Sequence, residues 1–260
     1  MFTKFSLLAL SYLSLPAIGS AALVAWYPLD TDGSDASGNG YNGSVVGGTV
    51  NFGQAGANGN TGSSAAFPDN GHIDVPFNSA LNPTSFTVTL WANAASTGGF
   101  ASPITSRDDV TGTSVWGYIL YNNADGNWDF WTGGGGPSGS WDRNIGPAVQ
   151  TSTWTHLAMT FDAGTDTKTL WVDGAIAATD STANQYLPNG TVEMENLHIG
   201  SGADDGGIFF FAGNIDDVTI RDEALGQAEI MNIMTNSIPE PSGACLLGVA
   251  ALSLLIRRRR

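Results

Sequence analysis

Apolar side chains recur at every second position in short runs along most of the chain, and glycine-, asparagine- and aspartate-rich turns separate the runs. In SFTVTLWAN, Phe86, Val88 and Leu90 fall on one side and Thr87, Thr89 and Trp91 on the other, the period of a half-buried strand. WTHLAMTFD repeats the scheme, with Leu157, Met159 and Phe161 inward and Trp154, His156 and Thr160 opposite. The next run sets Leu170 and Val172 together and turns at Asp173-Gly174, a dipeptide that accepts the positive φ angles of a tight hairpin. Further strands are predicted in LVAWYPL, SAAFP, HIDVP, WGYILYN, WDFWTG, ENLHIGS and GNIDDVTIR; in the last, alternation puts Asp216 on one face with Val218 and Ile220. One short helix is predicted in EALGQAEIMNIM, where Leu225, Ile230 and Ile233 or Met234 share a face. Many short strands without strand–helix alternation predict an all-β fold, a sandwich or a jelly roll.

The two ends depart from this pattern. After Lys4 comes an apolar run from Phe5 to Leu15, then Pro16 and the small residues Gly19, Ser20, Ala21 and Ala22. That is the charge, core and cleavage-site order of a secretory signal, with cleavage expected after Ala21 or Ala22. At the other end the apolar run Ala244–Ile256 is shorter than the about 20 residues of a membrane-spanning helix, and it ends in Arg257, Arg258, Arg259 and Arg260. Arginines so placed hold the segment on the cytoplasmic side of a membrane. The expected organisation is a signal at 1–22, one domain at 23–236 and a short apolar, arginine-ended segment at 237–260.

Charge narrows the partners. The chain carries a net charge of −15; all acidic residues but Glu240 lie in the central domain, where the only cations are Arg107, Arg143, Lys168 and Arg221. Such a surface repels nucleic acid and anionic lipid and favours divalent cations. The single cysteine, Cys245, lies in the tail, so disulfides, thiolate metal sites and cysteine nucleophiles are excluded from the domain.

Candidate chemistry is of three kinds. DTDGSDASGNG gathers Asp30, Asp32 and Asp35, but Gly33 at the fourth place and Tyr41 at the twelfth rule out an EF-hand. For hydrolysis of a glycosidic bond two carboxylates must flank a cleft; Glu193 and Glu195 share a face in VEMEN, yet no third acid follows. No GxSxG elbow occurs, and His72, His156 and His198 sit within strand motifs as core or sheet-face residues. Aromatic rings crowd one stretch, Trp116, Tyr118, Tyr121, Trp128, Phe130, Trp131 and Trp141, while Trp91, Trp154 and His156 lie opposite apolar triplets. Flat rings stack on sugars, so Trp91, Trp116, Tyr118, Trp128, Trp131 and Trp154 are the candidate ligand-binding residues, with core filling as the alternative for most.

LVAWYPLD with SGNGYNG, then SFTVTLWAN, WTHLAMTFDAGTDTKTLWVDG, LHIGSG and FAGNIDDVTIRDEALGQAEI, in that order, resemble the bacterial LamG-like members of the concanavalin A-like lectin and glucanase superfamily. The resemblance implies a jelly-roll sandwich of two curved antiparallel sheets whose first and last strands are adjacent. It also implies a structural calcium ion between an acidic residue after the first strand and the first aspartate of IDDV: Asp30 and Asp216, with Asp35 next. The glucanase relatives carry two glutamates flanking an aspartate on one strand, and this motif is absent here. The expected function is therefore a non-catalytic binding module directed at polysaccharide; a glycan hydrolase and a purely structural surface protein are the alternatives. The end of the chain, Pro239-Glu240-Pro241, a short apolar helix and the arginine cluster, resembles the PEP-CTERM sorting signal of Gram-negative bacteria. It implies an exosortase as processing partner and the cell surface or extracellular matrix as destination.

Overall fold

The computed structural model describes residues 21–236 apart from 111–113, 138, 191–193 and 203–208; the predicted signal and sorting segments fall outside the described residues, save Ala21 and Ala22. The first strands are β1 (Leu23–Tyr27), β2 (Ser44–Val46), β3 (Asn51–Ala55), β4 (Ser63–Phe67) and β5 (His72–Val75). A short 3-10 turn at Ser79–Leu81 precedes β6 (Phe86–Ala94), β7 (Ala101–Val110), β8 (Ser114–Asn122), β9 (Asn127–Gly134) and β10 (Asp142–Ala148). The chain continues through β11 (Thr155–Asp162), β12 (Thr167–Val172), β13 (Ala175–Asp180), β14 (Leu197–Ile199), β15 (Gly213–Arg221) and one helix, α1 (Gln227–Asn236).

These strands form two antiparallel sheets. The eight-stranded sheet runs β13-β12-β11-β6-β15-β4-β3 with β1 also on β15; the seven-stranded sheet runs β10-β9-β8-β7-β14-β5-β2. Period-two alternation explains what joins them. Phe86, Val88 and Leu90 of β6, Leu157, Met159 and Phe161 of β11, and Tyr118, Leu120, Trp128 and Phe130 of β8 and β9 fill one buried core between the layers. Asp173 (φ 48°) and Gly174 (φ 74°) make the tight β12–β13 turn that their sequence predicts. The four strands that carry no clear alternating signal are β2, β3, β7 and β10. Val45, Val46 and most of β3 are exposed, and β10 has an exposed edge-strand composition.

One buried cation bridges the two layers. Lys168 of β12 is fully buried, and its Nζ donates to Asp142 Oδ1 of β10 at 2.7 Å and to Thr132 Oγ1 of β9 at 3.2 Å, above the Phe130 ring.

The last strand holds a feature that alternation alone misses. The first half of β15 pairs with β4 (Gly213–Ile215) and the second half with β1 (Val218–Arg221), while β6 accompanies both halves on the other side. Between the halves a β-bulge spans Asp216 to Thr219, with Asp217 in the left-handed region at φ 50°. The extra residue shifts the alternation by one. Ile215, Val218 and Ile220 enter the core, whereas Asp216 stands opposite Trp91 on the outer face, not on the side of Val218 and Ile220 as strict alternation predicts. It is nevertheless fully buried, because the Gly56–Gly62 loop covers it.

Helix α1 closes the outer face of the eight-stranded sheet. Leu225 and Ile230 pack on Ala158 and Trp171 together with Ala21, and Asn60 Nδ2 donates to the Thr235 carbonyl at 2.7 Å, tying the covering loop to the helix end. The outer face of the seven-stranded sheet has no helix over it among the described residues.

Candidate functional site

Two places gather chemistry, one at each outer face. The first is the junction where β15 exchanges β4 for β1. Asp30, three residues past β1, accepts from the Ser63 backbone N–H at the start of β4. Gly62, at φ +71°, supplies a position without a side chain: a Cβ there would lie 2.5 Å from Asp30 Oδ1. Asp217 Oδ1 accepts the Trp26 indole N–H at 2.8 Å. Asp216 Oδ2 accepts the Ala57 N–H at 2.8 Å, and Asp216 Oδ1 is buried with no partner. Burial above all, with smaller repulsions from Asp217 and Asp30, pushes the Asp216 carboxyl up to about 7. Asp35 is occupied differently. Its Oδ1 accepts from the N–H groups of Trp26 and Ser37 and its Oδ2 from that of Tyr41, so it organises the loop after β1, and these bonds hold its pKa below the usual carboxylate range against the opposing effect of burial. Among the described residues no three His, Cys, Asp or Glu side chains converge as a metal cluster, so a cation here would take two carboxylates and complete its shell with backbone and water oxygens.

The second place is the outer face of the seven-stranded sheet. Trp128 and Phe130 point into the core, so Asp129 and Trp131 between and after them point out; by the same alternation Tyr121 of β8 lies outside Leu120. Cross-strand register then sets Arg143 of β10 opposite Trp131. The Arg143 guanidinium lies 4.7 Å from the Trp131 ring centroid and donates to Asp129 Oδ2 at 2.6 Å. Asn123 Nδ2 at 2.6 Å and Trp131 Nε1 at 3.2 Å donate to the same oxygen. Asp129, fully buried, thus fixes the indole and the guanidinium in one orientation. Around them Phe100, Tyr121, Trp131 and Phe209 form an edge-to-face cluster with centroids 5.2–5.8 Å apart. Arg107 Nη1 donates to the Tyr121 hydroxyl at 3.1 Å, and its guanidinium sits between the Trp141 and Phe209 rings at 5.8 and 5.7 Å. Phe100 and Arg143 are exposed and Trp131, Trp141 and Phe209 are half-buried; the chain at Phe209–Phe211 runs beside β7, with the Ser102 N–H donating to the Phe209 carbonyl at 2.8 Å and Phe211 entering the core.

The predicted aromatic set is divided by the fold. Tyr118 and Trp128 are wholly buried in the core and are corrected to packing residues: Tyr118 lies 4.9 Å from Phe86, and no ligand reaches it. Trp116, near the start of the interior strand β8, is nearly buried, its indole facing Gly135. Trp91 and Trp154 are half-buried on the opposite side of the sandwich, where Trp91 meets the buried His156 edge-to-face at 5.1 Å. Burial alone drives the His156 pKa down to about 3, which leaves the ring neutral and structural. Trp131 remains as the predicted ring on the accessible aromatic face. Of the residues around it that sequence reading left out, Phe100, Arg107, Arg143 and Phe209 come from strands without clear alternation or from loops, while Asp129 lies on the predicted strand WDFWTG, where alternation separates Trp128 from Trp131.

The comparisons with known proteins agree with this architecture. A family model described as the concanavalin A-like lectin/glucanases superfamily matches residues 67–231. No curated protein sequence matches the chain. Among solved structures, domain 4 of AbnA, an extracellular arabinanase from Geobacillus stearothermophilus solved with arabinotriose, is 22% identical at a TM-score of 0.64, covering 82% of this chain and 98% of that one. The CBM40 of a Ruminococcus gnavus sialidase bound to α2,3 sialyllactose is 14% identical at a TM-score of 0.54, over 65% of this chain and 95% of that one. Trypanosoma rangeli sialidase is 13% identical at a TM-score of 0.57, over 82% of this chain but 32% of that one. At these identities the solved structures speak for the fold, and the family match spans more than half of the chain, from the end of β4 into α1: the protein is a member of the concanavalin A-like lectin/glucanases superfamily.

Proposed function

We propose that the protein is an exported, non-catalytic glycan-binding module whose ligand lies on the outer face of the seven-stranded sheet. The observation that carries this reading is the Trp131–Arg143–Asp129 arrangement: a flat ring in reach of solvent, with a guanidinium over one face and a buried carboxylate holding both in place. Ring faces stack on the C–H side of a sugar while neighbouring charged groups address its hydroxyls. Structural neighbours that bind arabinotriose and sialyllactose support a carbohydrate ligand. The alternative is a hydrolase, and two acids of this face speak against it. Asp129 is buried and paired with Arg143, and Asp74 is engaged by Asn196 and His198 rather than turned toward an opposing acid.

Calcium belongs to the same proposal as a structural ion. Asp30 and Asp216 are the side chains that would hold it: the unpartnered oxygen of Asp216 and the repulsion between the two acids are what a hard dication relieves. Asp35, whose oxygens are taken by backbone N–H groups, is left out of the ligand set. Export by the N-terminal signal, processing by an exosortase at Pro239-Glu240-Pro241, retention by Arg257–Arg260 until cleavage, and final residence at a Gram-negative cell surface complete the reading.

A glycan array probed with the protein, with and without chelator, tests it. Binding to a defined glycan that Trp131→Ala abolishes is the expected result. No binding to any glycan, or binding indifferent to Trp131, overturns the assignment.

A further inference from the structure

On the same outer face, toward the β5 edge, two histidines stand close together. Ile73 and Val75 of β5 enter the core, so His72 and Asp74 point outward, and β14 sets His198 directly opposite Asp74. His72 is therefore the diagonal cross-strand neighbour of His198, and the two ring centroids are 5.2 Å apart.

The hydrogen bonds fix both tautomers. His198 Nε2–H donates to Asp74 Oδ1 at 3.1 Å, and Asp74 is itself held by the Asn196 amide at 2.9 and 3.1 Å, while Asn196 Oδ1 accepts the Phe77 N–H at 2.8 Å. His72 Nδ1–H donates to the Asn70 carbonyl at 3.2 Å. Each ring thus has one nitrogen committed as a donor to an oxygen and the other left as a lone pair. On His198 that other nitrogen, Nδ1, is buried without any partner, in a side chain about nine-tenths buried.

We propose that His72 and His198 form a two-imidazole site for a borderline divalent transition metal of the Zn2+ class. A metal-bound histidine characteristically gives its second N–H to a carboxylate or a backbone carbonyl, and these two rings display one of each, with Asn196 orienting the carboxylate in turn. Two imidazoles on one tetrahedral ion, at metal–nitrogen distances of about 2.0–2.1 Å, hold their ring centres about 5 Å apart, the spacing seen here. The charged groups acting on His198 are Asp74, which favours a cation, and His72 and Arg107, which oppose one; the Phe210 ring, 5.9 Å from His72, shields one side. Water completes the coordination. The site is separate from the Asp30–Asp216 junction and differs in kind, since imidazole nitrogen suits Zn2+ and carboxylate oxygen suits Ca2+.

Zinc titration of the full-length protein against a chromogenic indicator, in excess Ca2+ to occupy oxygen sites, tests the proposal. One equivalent of Zn2+ is expected to bind, to disappear in His72→Gln and His198→Gln, and to weaken about 10- to 100-fold in Asp74→Asn. His72 is half-exposed, so His72→Gln carries the test if His198→Gln folds poorly, and circular dichroism in chelator checks that the fold is retained. Zinc uptake unaltered by His72→Gln, or no uptake at all, overturns it. Glycan binding by the Trp131 surface is measured separately and stands or falls without this site.

Discussion

Asp216 of β15 and Trp91 of β6 face one another in register on the outer side of the eight-stranded sheet, one residue before the bulge at Asp217. A carboxylate is thereby sealed beneath the Gly56–Gly62 loop with one oxygen unpartnered, at the place where β15 changes neighbours. Burial there makes the junction sensitive to protons, and the proposed cation would act on the same carboxylate.

The folded-state pKa of Asp216, about 7, lies above the unfolded value of about 3.9, so the native state holds a proton that the unfolded state has already released. The contribution is fully present below pH ~4 and is lost as pH rises toward and through 7. Metal-free protein should therefore lose on the order of 3 kcal/mol across that window, and Asp216→Asn should flatten the profile. Urea unfolding at stepped pH in chelator measures it; an unchanged slope in Asp216→Asn refutes it.

The proposed calcium ion would act in the opposite sense on the same carboxylate. At pH 8, adding Ca2+ should raise the melting temperature of the wild type and leave Asp30→Asn and Asp216→Asn unmoved, because a ligand that binds only the native state stabilises it by mass action. Calorimetric scans with and without chelator decide the matter, and identical wild-type scans would remove the metal from the picture.

Gly62→Ala should destabilise the junction by about 1–3 kcal/mol, since alanine resists a φ of +71° and its Cβ would crowd Asp30 Oδ1. The parallel change at Gly59, where a Cβ meets nothing within 4 Å and no positive φ arises, should be nearly neutral. Comparing the two midpoints in denaturant checks the local cause.

Lys168 is a buried cation whose partners are Asp142 and Thr132. Burial lowers its pKa, against the pull of Asp142. Lys168→Ala should cost ~3 kcal/mol or more through the cavity and the stranded polar groups, whereas Lys168→Met, which keeps the volume against Phe130, should lie within ~1–2 kcal/mol of the wild type. Equilibrium unfolding of both variants, with equal losses as the refuting outcome, tests that packing rather than charge is what this position supplies.

Trp131→Ala should weaken glycan binding at least 10-fold, ~1.4 kcal/mol, while Trp91→Ala on the far side leaves affinity unchanged. Isothermal titration with the glycan found by array separates the two rings. Equal losses would place the ligand elsewhere.

Periodicity made the sheets legible because alternation is a property of neighbouring residues: SFTVTLWAN and WTHLAMTFD pair with one another as β6 and β11 with every inward residue in the core. The same logic failed at Asp216, where one inserted residue reverses the faces and nothing in IDDV announces a bulge. It also could not tell stacking rings from packing rings. Tyr118 and Trp131 read alike as aromatic, and only knowledge of which layer covers each strand separates a core residue from a surface one. The His72–His198 pair was invisible for a related reason: the two lie far apart in the chain, and the register of β14 on β5 brings them together.

The arrangement of α1 has a consequence for presentation. The helix, with Ala21 beside it, rests on the side of the sandwich opposite Trp131, so the described residues both begin and end on the rear of the module. The face that carries the arginine-capped indole is thereby left clear of both ends of the described domain, like a palm turned outward.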